Sequence, residues 1–195
     1  EFIPGYLGAQ GIPVSIVVRF ASDELRKLSS QKGKRFHIRI IDADRTPNVF
    51  FSICRHLKEN RVVITQCDEI DEWKPAGNRL ISFLGRQTAP DRTLTLLQRR
   101  TGCRMVFALM HRSSMSVYRF IARDGEAAKQ EIPGGRANSA AEIGLKFVES
   151  FIYRYPQGWY QWKKYPAIQP AADSSDRHVR ADFFHELASS FKESA

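Results

Sequence analysis

Tyr155-Pro-Gln-Gly-Trp-Tyr-Gln-Trp-Lys-Lys164 places two tryptophans, two tyrosines and two lysines around a single proline. Amphipathic rings beside ammonium groups suit a polar lipid headgroup, which makes Trp159, Lys163 and Lys164 candidate substrate contacts. The same composition also fits an aromatic plug closing a core beside a helix end. Arg19 and Asp68 each follow a β-branched run, and ligands of open α/β sheets gather beyond the C-terminal ends of strands. His37 and Asp42 form an H-x-x-x-x-D pair, but they flank a predicted strand. An odd separation there turns the two side chains to opposite faces, so the pair makes a poor acid–base dyad. His56, His111, His178 and His185 have no acid–base constellation around them in sequence. The chain has no Gly-x-Ser-x-Gly elbow, phosphate loop or dinucleotide fingerprint, which argues against serine-hydrolase and nucleotide-binding chemistry.

With 195 residues, 43% of them hydrophobic, the chain has material for one domain of ordinary size or one domain and a short tail. A net charge of +9 and a pI near 9.7 favour anionic partners: phosphorylated lipids, an acidic carrier protein or nucleic acid. A solvated basic surface would give the same numbers. Cys54, Cys67 and Cys103 lie far apart without a C-x-x-C spacing, so reduced thiols are expected rather than a disulfide framework or a zinc site. Neither a metal nor another cofactor is expected. No apolar run approaches the roughly 20 residues that span a bilayer, and no signal peptide is visible. The chain opens at Glu1 without an initiator methionine, in what reads as the middle of a motif, so preceding sequence is expected.

The elements that must carry these residues alternate. Glu1–Gln10 reads as a helix end stopped by Gly11, and Val14–Val18 as a strand covered on both faces. Ser22–Gln31 is helical up to Gly33, and His37–Ile41 is a second strand. Pro47–Lys58 puts Val49, Phe50, Ile53 and Leu57 on one helical face. Arg61–Gln66 makes a third strand. A long polar loop is expected from Glu69 to Thr88, enclosing Trp73 and the apolar block Leu80–Leu84. Thr88 and Pro90 open a helix that ends at Gly102. Met105–Met110 and Ser116–Ile121 read as strands around a turn, and Gly125–Asn138 as loop. Ser139-Ala-Ala-Glu142 is a capping box opening a helix on which Ile143, Phe147 and Phe151 stack and which Pro156 ends. Pro166–Asp176 reads as linker and Asp182–Lys192 as a short tail helix. The expected class is α/β: a mostly parallel mixed sheet flanked by helices, with an antiparallel element near residues 105–121.

In order, the chain carries Gly11-Ile-Pro-Val14 leading to Val17-Val-Arg19, then Val62-Val-Ile-Thr65 leading to Asp68. Gly77, Phe83 and Gly85 follow, then Gly102-Cys-Arg104 before a strand, and Pro156–Trp159 near the end. This succession resembles the lipid A biosynthesis (lauroyl/myristoyl) acyltransferases, within the lysophospholipid acyltransferase-like group. It covers residues 1–165 as one acyltransferase-like domain and leaves 166–195 as linker and tail. The resemblance implies a glycerolipid-acyltransferase-like fold at the cytoplasmic face of a bacterial inner membrane. It also implies an H-x-x-x-x-[DE] motif about ten residues before the Gly-Ile-Pro-Val segment. Glu1 stands at its acidic position, and the motif histidine would lie upstream of the given sequence, leaving this chain an incomplete catalyst.

The implied reaction moves a fatty acyl group from acyl carrier protein or acyl-coenzyme A to a hydroxyl of an anionic lipid. A histidine base removes the hydroxyl proton, and Glu1 orients that base. Arg19 contacts a phosphate or the oxyanion, and Asp68 holds the acceptor or an arginine. Arg99, Arg100 and Arg104, with Lys163 and Lys164, offer a basic docking surface. Trp159, Tyr160 and Trp162 offer peripheral contact with a membrane. An acyltransferase-like module that binds lipid or carrier without catalysis would share these features, and a histidine in the motif position ahead of Glu1 would separate the two. A nucleic-acid binder would use the same positive charge, but no nucleic-acid motif supports it and none is expected as a partner.

Overall fold

Val14-Ser-Ile-Val-Val18 has almost nothing but β-branched side chains, which fit a pleated surface packed on both faces. In a computed structural model of the chain it forms β1, the centre of a three-stranded parallel sheet in the order β2-β1-β3. The structure describes residues 2–69, 80–89, 91–132 and 139–168. These divide into two compact units, one within residues 2–66 and 96–103, the other within residues 67–95 and 104–168. The chain is mixed α/β. The expected parallel sheet is there, but among the described residues it holds three strands, and the remaining paired strands form antiparallel hairpins.

In the first unit, β2 (Arg39–Asp42) and β3 (Val62–Ile64) flank β1, with Ile16 opposite Ile40 and Ile64, and Val17 opposite Ile41. Side chains two apart share a face, so Ile16, Ile40 and Ile64 form one layer and Val17, Ile41 and Val63 belong to the other. Helix α2 (Asp23–Arg35) covers the first face: a Cβ on its Gly33 would meet the Ile38 carbonyl at 3.0 Å and Ile40 Cδ1 at 3.6 Å. Helix α3 (Val49–Lys58) covers the second, where Ile53 and Cys54 pack with Ile41, Val17 and Val63. Opposite faces follow from the strand order. The rule that parallel crossovers are right-handed expects this, because β1→β2 runs across the sheet the opposite way from β2→β3. Helix α1 (Phe2–Ala9) precedes Gly11, whose φ of 76° is the left-handed exit a glycine supplies.

Gly33 is not the stop that the sequence suggests; α2 runs through it to Arg35. The helix instead closes with Ile38 N–H on Gly33 O and His37 N–H on Lys34 O, with His37 itself at φ 54°. Gly33 is needed for close approach to β2, so a histidine takes the left-handed position. Helix α3 ends in the same way on Asn60, at φ 55°.

Further expectations are corrected along the rest of the chain. The apolar block inside the expected polar loop is a hairpin of β4 (Ile81–Phe83) and β5 (Arg86–Thr88). Leu84 (φ 50°) and Gly85 (φ 83°) make its two-residue turn, and both positive angles match the twist of the flanking strands. Thr88 therefore ends a strand, and helix α4 (Thr93–Thr101) starts later than expected. Residues 125–130, read as loop, form α5 (Gly125–Gln130), because Asp124 accepts from Glu126 N–H as its N-cap. The strand pair is longer than expected: β6 (Val106–Arg112) against β7 (Tyr118–Asp124).

The capping box opens α6 (Ala140–Arg154), with Ser139 Oγ accepting from Glu142 N–H. Its most buried large side chains are Leu145, Val148 and Ile152, which pack with Ile81, Phe83, Leu84 and Trp159; the Ile143–Phe147–Phe151 stripe is only half buried. After Pro156 the backbone tightens into 3₁₀ turns over Pro156–Gly158 and Tyr160–Ala167. Ile168, expected in a linker, is 2% exposed in that core. The proposed tail helix, and Trp73 in the expected loop, lie outside the described residues.

Candidate functional site

Strand β3 ends at Ile64, and four residues later come two adjacent carboxylates, Asp68 and Glu69. The hydrogen bonds of this pair run to the aromatic segment more than 90 residues away. Trp159 Nε1 donates to Asp68 Oδ2 at 2.9 Å. Tyr160 Oη and Gln161 Nε2 donate to the two oxygens of Glu69 at 2.8 and 2.7 Å, and Lys164 Nζ reaches it at 3.2 Å. Three of the singled-out residues, Asp68, Trp159 and Lys164, thus belong to one cluster. Its centre is Glu69, which the sequence reading passed over as the first residue of a loop. Two acidic residues side by side after a predicted strand were the available signal.

The two carboxyls are driven apart. Burial raises Asp68, the Trp159 hydrogen bond only partly opposes this, and the neighbouring negative charge of Glu69 adds to it. Burial alone would raise Glu69 too, but the hydrogen bonds from Tyr160, Gln161 and Lys164 outweigh it and hold that carboxyl below its usual range. The Tyr160 phenol is pushed up by burial and by the charge of Asp68, so it serves as a neutral donor. The arrangement is a carboxyl with raised proton affinity beside one held ionised, the pairing from which acid–base and hydrogen-bonding roles are built. The neighbouring Cys67 thiol is pushed up to about 12 by burial and the charge of Asp68, which removes it as a nucleophile.

Much of the aromatic segment is structural. Trp159 is 5% exposed and meets Phe83 edge-on with ring centroids 5.9 Å apart. It cannot touch a membrane surface directly, and the plug reading describes its ring. Trp162 Nε1 is bonded to Pro156 O, and Tyr165 Oη donates to Leu84 O at 2.9 Å. Arg86 lies 4.3 Å over the Tyr165 ring and donates to the carbonyls of Tyr165, Pro166 and Ile168. Tyr160 and Trp162 keep exposed surface, and Lys163 is exposed.

Arg19 follows β1 as expected, but its guanidinium pairs with Asp44 at 2.5 Å within the first unit. Glu1 lies outside the described residues. The His37–Asp42 pair is no dyad. His37 caps α2, and Asp42 holds Arg26 at 2.6 Å. Of the docking candidates, Arg100 lies over the Phe51 ring, Arg104 pairs with Asp124 at 2.8 Å, and Arg99 is exposed.

One serine–histidine pair went unnoticed in the sequence. His56 Nδ1 lies 2.9 Å from Ser15 Oγ, which also accepts from Arg61 Nε at 2.8 Å. Ser15 is fully buried and His56 is 7% exposed, so no substrate reaches this hydroxyl and the trio ties α3 to β1. Burial lowers the His56 pKa, with the cations Arg39, Arg55 and Arg61 acting in the same direction against Glu59. A base whose folded pKa is depressed takes up its proton more readily unfolded, so stability falls as pH drops below 6.5 toward the folded value. Urea melts followed by circular dichroism from pH 7 to 5 should show this loss, and His56→Gln should flatten it.

Neither family models nor curated proteins match the chain. Among the described residues, no helix is long and apolar enough to cross a membrane.

Proposed function

We propose that this chain is an O-acyltransferase domain moving a fatty acyl group from a thioester donor to a hydroxyl of a lipid A precursor or a related glycolipid or lysophospholipid. The donor is acyl carrier protein or acyl-coenzyme A, and the work takes place at the cytoplasmic face of a bacterial inner membrane. The ordered resemblance to the lipid A acyltransferases supports the reading, and the three-stranded parallel sheet is compatible with the glycerolipid-acyltransferase-like fold it implies. The observation that carries it is the Trp159–Asp68 hydrogen bond. It links two segments of the resemblance that were each read separately as substrate contacts.

In this reading a histidine base, oriented by Glu1, takes the acceptor's hydroxyl proton while the oxygen attacks the thioester carbonyl. The tetrahedral oxyanion collapses, the C–S bond breaks, and the thiolate leaves with the proton the base holds. Arg19 meets phosphate or oxyanion charge. Asp68 hydrogen-bonds the acceptor, and Lys163 and Lys164 meet its anionic headgroup. The non-catalytic lipid- or carrier-binding module is the second reading. It is favoured by the degree to which the charges are already satisfied, Glu69 by three donors and Arg19 by Asp44.

The test is transfer of a radiolabelled acyl group from each thioester donor to each acceptor class by the encoded protein. Product supports the enzyme, thioester or lipid binding without product supports the module, and neither activity overturns both. Asp68→Asn keeps an oxygen for the Trp159 N–H and removes a buried charge. It should leave thermal stability at pH 7 equal or higher while lowering transfer about 10- to 100-fold. Unchanged transfer would remove Asp68 from the site.

A further inference from the structure

The β6–β7 hairpin has two unlike faces. Phe107 and His111 pack on α6 through Phe147, Phe151 and Tyr155, and Leu109 packs against the core. The other face and the tip carry Val106 at 61% exposure, Phe120 at 50%, Tyr118 at 48%, Val117 at 50% and Met115 at 89%. An outward concentration of large apolar groups on one hairpin is a mark of an interaction surface. Toward the tip its charge is one-signed: residues 110–120 contain Arg112 and Arg119 and no aspartate or glutamate, while Asp124 at the far end of β7 pairs with Arg104.

The tip is also held in shape. Arg112 Nε donates to Ser114 O at 3.0 Å and its Nη2 to Met115 O at 2.7 Å, while Ser113 N–H closes on Val117 O at 2.9 Å. A guanidinium that grips the backbone of its own turn fixes Met115 outward, so little ordering remains to be done on binding.

We propose that this hairpin is a membrane-docking element whose tip, Met115 and Val117 with Tyr118 and Phe120 behind them, enters the headgroup layer of an anionic bilayer. The acid-free tip selects the negative surface, and Arg112, exposed and paired across the hairpin with Tyr118, adds positive charge on the apolar face. The inference goes beyond acyl transfer and does not depend on it, since vesicle binding needs no turnover.

Flotation of the whole chain with vesicles of phosphatidylcholine alone, and with roughly one third phosphatidylglycerol, tests it. The parent is expected to float with the anionic vesicles and to remain behind with the neutral ones. Met115→Asp with Val117→Asp should cut the bound fraction about tenfold with an unchanged circular dichroism spectrum. In a separate Met115→Trp variant, brominated lipid should quench the added fluorescence. A parent that does not float, or a double variant that floats as well as the parent, overturns the proposal. So does an equal loss on Leu28→Asp, an exposed leucine of α2. If the parent is a dimer in light scattering that the double variant dissociates, and neither floats, the face joins two copies of the chain and the proposal falls.

Discussion

Glu149→Ala is expected to destabilise this protein by about 3–5 kcal/mol, measured as a shift in the urea midpoint at pH 7. Glu149 is 6% exposed on α6 and accepts from Leu84 N–H and from Lys146 Nζ, each at 2.6 Å. Lys146 in turn donates to Ser82 O at 2.7 Å. Alanine would leave a part-buried ammonium without its counter-charge and a buried N–H without an acceptor. Glu149→Gln keeps an acceptor for Leu84 and should cost less, about 1–2 kcal/mol. Equal losses in the two variants would mean that packing volume, rather than the polar contacts, sets the cost.

Trp159 allows the packing and polar contributions to be separated. Trp159→Ala removes a ring wedged against Phe83 and the donor to Asp68, and should cost about 3–5 kcal/mol. Trp159→Phe keeps most of the ring but strands Asp68, with a cost of about 1–3 kcal/mol. Losing that donor raises the Asp68 proton affinity further, so the proposed acyl transfer should fall in the phenylalanine variant although its core is nearly intact. A phenylalanine variant with parental stability and parental transfer would show that the indole does not organise Asp68.

The features that were legible in sequence are the local ones. The β-branched run of β1, the Val49–Leu57 face of α3 and the Ser139–Glu142 capping box each declare themselves within one or two turns of chain. Asp68 was singled out from its place after a strand. Glu69 was not, because its meaning comes from Tyr160, Gln161 and Lys164, and no local pattern relates residues so far apart. The β4–β5 hairpin was missed for a related reason. Ile81 and Phe83 alternate inward over only three residues, too few for periodicity to stand out against a polar surround. Gly33 misled because glycine usually marks a helix end, whereas here it admits a neighbouring strand. The aromatic segment was read as a binding surface or a core plug, and its indole and phenol groups divide: Tyr165 holds the β4–β5 turn, Trp162 the Pro156 carbonyl, and Trp159 and Tyr160 the acidic pair. Composition cannot tell a ring turned outward from one turned inward.

Leu84 ties several of these observations together. It is a branched residue held at φ 50°, a conformation that costs free energy unless its surroundings impose it. The fixing groups are Glu149, 65 residues away, and Tyr165, 81 residues away. A turn that depends on such distant partners gains little by closing early. The β4–β5 pair should therefore assemble after α6 has docked, and substitutions at Leu84 should mainly accelerate unfolding rather than slow refolding.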